Sequence, residues 1–387
     1  MNDVAILSAV RTPVGKAIKG TLKDARPDIF GAKIIKEVVV KTGINAEDIE
    51  DVIMGCAMPE AEQGMNVARV MSLLAGLPET TSAATVNRFC SSGLHAIADI
   101  AKSIAVGQIK IGIGGGIESM SLVPMGGHKP SVNPDLLAKY PELYTTMGIT
   151  AENIAKRFDI SRDAQDKFAL HSHEKAVLAI QNGLFKEEIL PIDVKIFSSN
   201  GTKNISFGTD EGPRADTSLE LLTKLKPAFA LEGTVTAGNS SQISDGAAAC
   251  LLMDAAEAKI ANLPIMGYFK NFVTIGVPAD VMGIGPIVAV QKLLNKTGLN
   301  LNDIGIIELN EAFAAQALYC IRELGLDEEK VNPCGGAIAL GHPLGCTGAR
   351  QVVTILREMN RKSIEYGICT MCIGGGMGAA ALIELAY

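Results

Sequence analysis

The stretch Val86-Asn87-Arg88-Phe89-Cys90-Ser91-Ser92-Gly93-Leu94 joins an extended run to a helix. Residues 81–86 are short, β-branched and bounded by turn signals, whereas Leu94, Ile97, Ala98, Ala101 and Ala105 recur at helical spacing. The junction puts Cys90 at or just before a helix N-terminus. Unpaired backbone N–H groups and the positive end of the macrodipole there favour thiolate over thiol. Taken alone, the residue reads as readily as a buried structural thiol, because free Cys is among the most buried residue types. The rest of the chain has to supply the partners that decide between the two.

On either side of this junction the same alternation continues. Residues 4–9, 52–56 and 110–113 read as strands, and 28–40 and 66–74 as helices, which argues α/β with parallel pairing. Between 121 and 239 the character changes: Pro124, Pro130, Pro134 and Pro141 punctuate a loop-rich stretch. Two helical patterns follow, with Thr150 and Ser161 as expected N-caps and Gly183 as the stop, and 195–209 suggests a small hairpin. Strands near 250–253, 265–272, 304–309, 366–371 and 379–385 then alternate with helices at 285–294, 312–323 and 350–359.

The two ends of the chain resemble each other. Val86-Asn87-x-x-Cys90 returns as Val331-Asn332-x-Cys334, and the Gly-rich turn expected at 112–117 returns at 372–377. Two related α/β halves of βαβαβ type, with an insertion in the first, account for this. The expected boundaries are a first half over 1–119 completed by about 244–265, an insertion over 120–243 and a second half over 266–387. Neither Gly run is a GxGxxG after the first strand of a βαβ unit, so a dinucleotide fingerprint is absent.

Bulk properties narrow the function. At 387 residues the chain exceeds what one core usually organises. A net charge of −7 and a pI near 5.4 argue against a nucleic-acid scaffold. With 48% hydrophobic and 20% charged residues and no apolar run of bilayer length, it does not read as a membrane protein. Met1-Asn2-Asp3 leads straight into the first strand with no leader pattern, and eight irregularly spaced cysteines suggest reduced thiols, so a cytoplasmic setting is expected. Cys369 and Cys372 form a Cys-x-x-Cys pair, but no second pair has structural-zinc spacing, and no metal is expected.

Three stretches complete the chemistry around Cys90. Asn310-Glu311-Ala312-Phe313 lies at the carboxyl end of a strand, where open α/β sheets bind ligands, although an Asn-Glu pair there also reads as an N-cap and its first-turn acid. His342 stands in 335–345, a segment nearly free of other polar side chains. Cys372 ends a strand just before Gly374, Gly375 and Gly376. A thiolate can attack an acyl carbon while a histidine takes its proton, and a second thiol can exchange a proton at carbon. Backbone N–H groups at Cys90 and Gly374 can hold the oxyanion. This set suits carbon–carbon cleavage in a β-ketothioester.

The residues 87–93, 310–313, 341–345 and 372–374, with Arg11-Thr12-Pro13 and residues 236–241, resemble the thiolases essentially end to end. The resemblance implies a layered αβαβα core with an inserted loop domain that holds coenzyme A. It implies Cys90 as the acylated nucleophile, His342 as its activator, and Asn310 as holder of a water at the thioester oxygen. It makes Cys372 the acid or base at the acetyl-CoA α-carbon, with the amides of Cys90 and Gly374 around the acyl oxygen. Ser241 and Ala237 match a loop contacting pantetheine, Phe229 and Phe313 apolar walls beside it, and Arg214 a position near the nucleotide. Coenzyme A and acyl-CoA are then substrates, no cofactor is called for, and a homodimer or homotetramer is implied, with a β-oxidation multienzyme complex as a conceivable partner.

Within the resemblance, members confined to acetoacetyl-CoA often carry His-Met where this chain has Thr146-Met147, a pair placed at the substrate. That departure, with the wording of residues 240–245, favours the degradative 3-ketoacyl-CoA branch over the acetoacetyl-CoA-specific one. A β-ketoacyl synthase would pair its cysteine with two histidines or with His and Asn, whereas Cys372 occupies the acid-base position here. A noncatalytic acyl-CoA-binding protein on the same scaffold is the remaining alternative, and retention of Cys90, His342 and Cys372 speaks against it.

Overall fold

The computed structural model describes residues 2–198 and 201–386. In the first half β1 (Val4–Arg11) and β2 (Gly15–Lys16) precede α1 (Pro27–Val40), β3 (Asp51–Gly55), α2 (Val67–Leu74), β4 (Ser82–Val86), α3 (Ser92–Ala105) and β5 (Ile111–Ser119). Next come α4 (Pro134–Lys139), α5 (Met147–Arg157), α6 (Arg162–Gln181), the hairpin β6 (Ile192–Ser198) and β7 (Gly201–Phe207), and α7 (Leu219–Thr223). The chain then runs through β8 (Ser244–Asp254), α8 (Ala255–Ile260), β9 (Gly267–Gly276), α9 (Gly285–Thr297), β10 (Ile306–Leu309) and α10 (Ala314–Leu324). The last elements are α11 (Ala337–Leu340), α12 (Leu344–Lys362), β11 (Tyr366–Ile373) and β12 (Met377–Leu385).

The large sheet runs in the order β10-β11-β12-β9-β1-β8-β5-β3-β4, and only two residue pairs join β1 to β9. Either side of that join the order repeats: β1-β8-β5-β3-β4 is matched by β9-β12-β11-β10, with Val331 bridged in parallel to Ile307 where β4 would lie. The Val86-Asn87 and Val331-Asn332 repeat therefore marks equivalent positions. The two Gly runs do not. Residues 112–117 lie inside β5, whereas Gly374, Gly375 and Gly376 form the turn between β11 and β12.

The expected parallel pairing holds only for β3 with β4 and β5 and for β10 with β11. The remaining pairings of the large sheet are antiparallel. A three-residue turn between β11 and β12 leaves no length for the crossover that parallel neighbours need. Thr150 is not a cap but sits in the first turn of α5, its hydroxyl donating to the Met147 carbonyl, while Ser161 does cap α6 by accepting from Ala164 N–H. The hairpin expected over 195–209 is β6 and β7, with its tip at 199–200 outside the described residues.

Apolar faces set the layers. One core joins α3 and α12, through Leu94, Ile97, Ile100, Val352, Val353 and Leu356, to strands of both halves. A second lies between α1, α2 and the outer face of the first half-sheet, and a third between α9, α10 and the outer face of the second. The result is helix, sheet, helix, sheet, helix. Between β5 and β8 no described residue joins the large sheet as a strand. Arg11, buried at the end of β1, ties this stretch down through Glu188 at 2.7 Å and Asp210 at 2.7 and 2.9 Å.

Candidate active site

Cys90 lies in a short 3-10 turn, Phe89–Ser91, immediately before α3. The turn is held by its neighbours' side chains: Phe89 N–H donates to Asn87 Oδ1 at 2.8 Å and Arg88 N–H to Ser92 Oγ at 2.8 Å. Asn87 also donates to the Ala57 carbonyl at 2.9 Å, and Ser92 Oγ donates to the Phe89 carbonyl at 2.7 Å. These bonds sustain a left-handed Phe89 (φ 43°), a conformation that costs of order 1–3 kcal/mol when unsupported. The turn packs against both α12 and β11, which bring up the other candidates.

The backbone N–H groups of Gly374 and of Cys90 itself lie close enough to the Cys90 sulfur to favour its thiolate, and the residue is 7% exposed. Burial nevertheless outweighs them and pushes the thiol up to about 11, with the nearby Glu118 carboxylate adding to the rise. The helix N-terminus expected to favour thiolate is thus overruled by loss of water. Cys372, at the end of β11, is fully buried and its thiol is also held well above the ordinary range, by burial first and by the neighbouring Cys90 second. Both sulfurs rest as thiols.

His342 is buried just before α12, its N–H donating to the Gln242 carbonyl at 3.0 Å and to Ser244 Oγ at 3.2 Å. Its Nδ1 lies 2.6 Å from Thr347 Oγ1 and its Nε2 3.3 Å from Asn310 Nδ2. Burial, and behind it the charge of Arg350, lowers its pKa to about 3. The imidazole is neutral. Thr347 Oγ1 is also 3.0 Å from the Pro343 carbonyl, which can only accept, so the hydroxyl proton goes there and Oγ1 accepts from Nδ1–H. Nε2 is left as a free base beside the amide of Asn310.

Asn310 and Glu311 precede α10, whose N-cap is Phe313, so they are not the cap and first-turn acid. Asn310 Oδ1 has no protein partner, while Glu311 accepts from Ser172 Oγ at 2.6 Å, Asn332 Nδ2 at 2.8 Å and Ile338 N–H at 3.2 Å. Asn310 faces the site and Glu311 braces it from behind.

Of the residues tied to coenzyme A by resemblance, Met147 and Phe313 pack with Cys372. A Cβ on Gly374 would meet Met147 Sδ at 3.4 Å. Phe229 packs edge-on against Phe313 with ring centroids 6.0 Å apart. Ser241 N–H donates to the Ala312 carbonyl at 3.0 Å. Ala237 and Arg214 line a separate cavity of about 430 Å³ with His173, Asp216, Leu225 and Gln242. Arg214 is exposed, and its N–H donates to His173 Nδ1 at 3.2 Å, so that ring is neutral. The 237–242 segment connects the two groups.

Two residues with no expected role prove central. Glu118, at the end of β5, accepts from Ala57 N–H at 2.8 Å, Met58 N–H at 3.2 Å, Gln63 Nε2 at 2.6 Å and Gly345 N–H at 2.8 Å. It pins the start of α12 to the floor of the Cys90 site. Its signal in the sequence was a lone acid after a run of only Gly and Ile. Thr347, which sets the tautomer of His342, gave none. Cys369, three residues from Cys372 on β11, lies in the central core instead, and no three His, Cys, Asp or Glu side chains cluster as a metal site among the described residues.

The same constellation is tied to one protein family by sequence. The model of the thiolase N-terminal domain matches residues 4–256 and that of the C-terminal domain residues 263–385. The chain belongs to the thiolase family. It is 52% identical to the 3-ketoacyl-CoA thiolase of Bacillus subtilis, each chain being covered in full. It is 48% identical to the peroxisomal 3-ketoacyl-CoA thiolase A of Mus musculus over 99% of this chain and 91% of that one. The crystal structure of the dimeric peroxisomal thiolase of Saccharomyces cerevisiae superposes with a TM-score of 0.91 at 45% identity, over 100% of this chain and 98% of that one. The Bacillus anthracis acetyl-CoA acetyltransferase structure also gives 0.91, at 38% identity, over 100% and 99%. The thiolase fold, with its two related halves, is therefore shared along the whole chain.

Proposed function

We propose that this thiolase cleaves 3-ketoacyl-CoA with coenzyme A to acyl-CoA and acetyl-CoA, through an S-acyl Cys90 intermediate. The observation that carries the reading is the Cys90 sulfur under the Gly374 and Cys90 N–H groups, beside Cys372. His342 Nε2 takes the Cys90 proton as the sulfur attacks the ketone carbon, and the two N–H groups stabilise the oxyanion. The C2–C3 bond breaks with its electron pair left on C2. Protonated His342, with a water held by Asn310, supports the enolate oxygen, and the Cys372 thiol delivers its proton to C2. Acetyl-CoA leaves; the Cys372 thiolate then takes the proton of the coenzyme A thiol as its sulfur attacks the S-acyl carbon, and His342 returns its proton to the departing Cys90 sulfur as acyl-CoA leaves.

Coenzyme A would lie along 237–242, with Met147, Phe229 and Phe313 beside the pantetheine and Arg214 at the nucleotide end. A substrate range beyond four carbons is favoured by the relatives named 3-ketoacyl-CoA thiolase, at 46–52% identity, over the acetyl-CoA acetyltransferase at 38%. The open edge of β4 would pair two copies into a dimer, the yeast relative being dimeric. All eight cysteines are unpaired and buried, in keeping with a cytoplasmic setting, and no helix among the described residues is long and apolar enough to cross a membrane.

The test is burst acylation by acetyl-CoA together with thiolysis rates against chain length. Cys90→Ser is expected to abolish the burst, whereas Cys372→Ser still acylates but loses carbon–carbon chemistry. Equal bursts in both variants would reverse the two roles. Strict preference for acetoacetyl-CoA would move the chain to the biosynthetic branch.

A further inference from the structure

An apolar cavity of about 580 Å³ lies beyond the Gly374–Gly376 turn, lined by Leu136, Tyr140, Leu143, Pro278 and Ala279, with Glu142 and Asp280 also on its wall. It belongs neither to the cavity holding Arg214 and Ala237 nor to the cluster around Cys372. Its position relative to the sulfur gives it meaning. Gly374 carries an N–H that favours the Cys90 thiolate, and a Cβ on Gly374 would meet Met147 Sδ at 3.4 Å and Phe89 Cδ2 at 3.9 Å. One residue further, a Cβ on Gly375 would meet Leu143 Cδ1 at 3.5 Å. Phe89, Met147 and Leu143 thus form an apolar edge running from the nucleophile to the cavity.

Packed side chains fill the other directions. Ala17, Ala57, Met58, Met120 and Leu344 pack against Cys90, His342 and Asn310 occupy a further side, and Glu118 holds the loop at 57–58 beneath. A chain attached through its carbonyl carbon to Cys90, with its oxygen at the Gly374 N–H, finds hydrocarbon contact along the Phe89, Met147 and Leu143 edge. The cavity wall is built partly from α4 and the turn after it, in the stretch between β5 and β8. Arg157 and Asp280 pair beside it, leaving a charged rim around an apolar floor.

We propose that this cavity receives the alkyl chain of the 3-ketoacyl group, with Leu143 as the residue that admits chains longer than four carbons. The assignment rests on the thiolysis reading above and names where its substrate range is set. Acetoacetyl-CoA, whose acyl group ends one methyl beyond the ketone, does not reach Leu143. Longer chains do, and each methylene buried is worth about fourfold in kcat/KM.

The experiment compares kcat/KM for acetoacetyl-CoA and 3-ketodecanoyl-CoA in the full-length wild type, in Leu143→Asp and in Ala279→Trp. Leu143 is partly exposed, so the charge is tolerated in the fold. Both variants are expected to lower the ten-carbon to four-carbon ratio about tenfold or more, with acetoacetyl-CoA cleavage kept within about twofold. An unchanged ratio in either variant would overturn the cavity assignment, as would parallel loss of both substrates in Ala279→Trp. A wild type unable to cleave the ten-carbon substrate would instead overturn the degradative reading, and the cavity with it.

Discussion

The Pro343 carbonyl decides which nitrogen of His342 is free. It accepts from Thr347, Thr347 in turn accepts from His342 Nδ1, and Nε2 is left unprotonated, as the proposed transfer of the Cys90 proton requires. Thr347 is therefore a positioning residue, acting on the thiol only through the ring. Thr347→Val would leave a buried Nδ1–H unpaired, at a cost of about 1–3 kcal/mol, or flip the tautomer so that Nε2 carries the proton. The expected outcome is a fall in kcat of about tenfold or more with KM little changed. Thr347→Ser should restore it, and the ring's 15N chemical shifts should report the tautomer. Equal activity in the Val and Ser variants would remove Thr347 from the mechanism. His342 and Cys372 were legible as reactive side chains set among Gly and apolar residues, Cys90 by its place at a strand-to-helix junction and Asn310 by its place at the carboxyl end of a strand. Thr347 and Glu118 were not, because their partners become neighbours only when α12 is packed against β5 and the 57–58 loop.

Close packing of backbone explains why only the start of β5 was read as a strand by residue type. Glycine is a poor strand former, so 112–116 suggested a turn. The structure needs glycine there for space: a Cβ on Gly116 would stand 2.0 Å from the Gly345 carbonyl oxygen and 2.9 Å from Gly93 Cα. Gly93 opens α3 and Gly345 opens α12, so the strand carrying Glu118 and the helices following Cys90 and His342 meet where none has a side chain. That contact sets the separation of Cys90 from His342, the proposed nucleophile and base. Gly116→Ala must push α12 away, at a cost of about 1–3 kcal/mol or more, and should lower the unfolding midpoint. It should also reduce Cys90 acylation in the protein that remains folded. Gly276→Ala, at the exposed end of β9 where a Cβ meets nothing and φ is not positive, is the control for general glycine effects. A Gly116→Ala protein that acylated at the wild-type rate would show that the helix separation is not critical. Amphipathic and buried helices were found to within a few residues, but α12 began six residues earlier than its apolar pattern, because Leu344-Gly345-Cys346 carries no helical signal of its own.

At the scale of the molecule, the sheet ends in an edge that a single chain leaves open. β4 is the last strand on its side, and Ser82 and Ala84 are exposed along it. Around it Met65 is 97% exposed, with Leu73, Leu74 and Phe89 also turned outward. An unpaired strand with apolar neighbours invites pairing with another strand. A two-fold axis beside β4 would set the same edge of a second copy against it, as closed homo-oligomers require. The catalytic turn has a stake in that contact, since Phe89 is both half-exposed and left-handed beside Cys90. Introducing Met65→Asp with Ala84→Asp places like charges at two exposed positions without touching the core. The double variant is expected to sediment as a monomer at micromolar concentration while the wild type sediments as a dimer or larger. Its acylation burst should be weakened, because the turn around Phe89 loses the surface that holds it. A variant that stayed dimeric would place the interface elsewhere on the molecule, and a monomer with an undiminished burst would show that the Asn87 and Ser92 bonds suffice to hold Cys90.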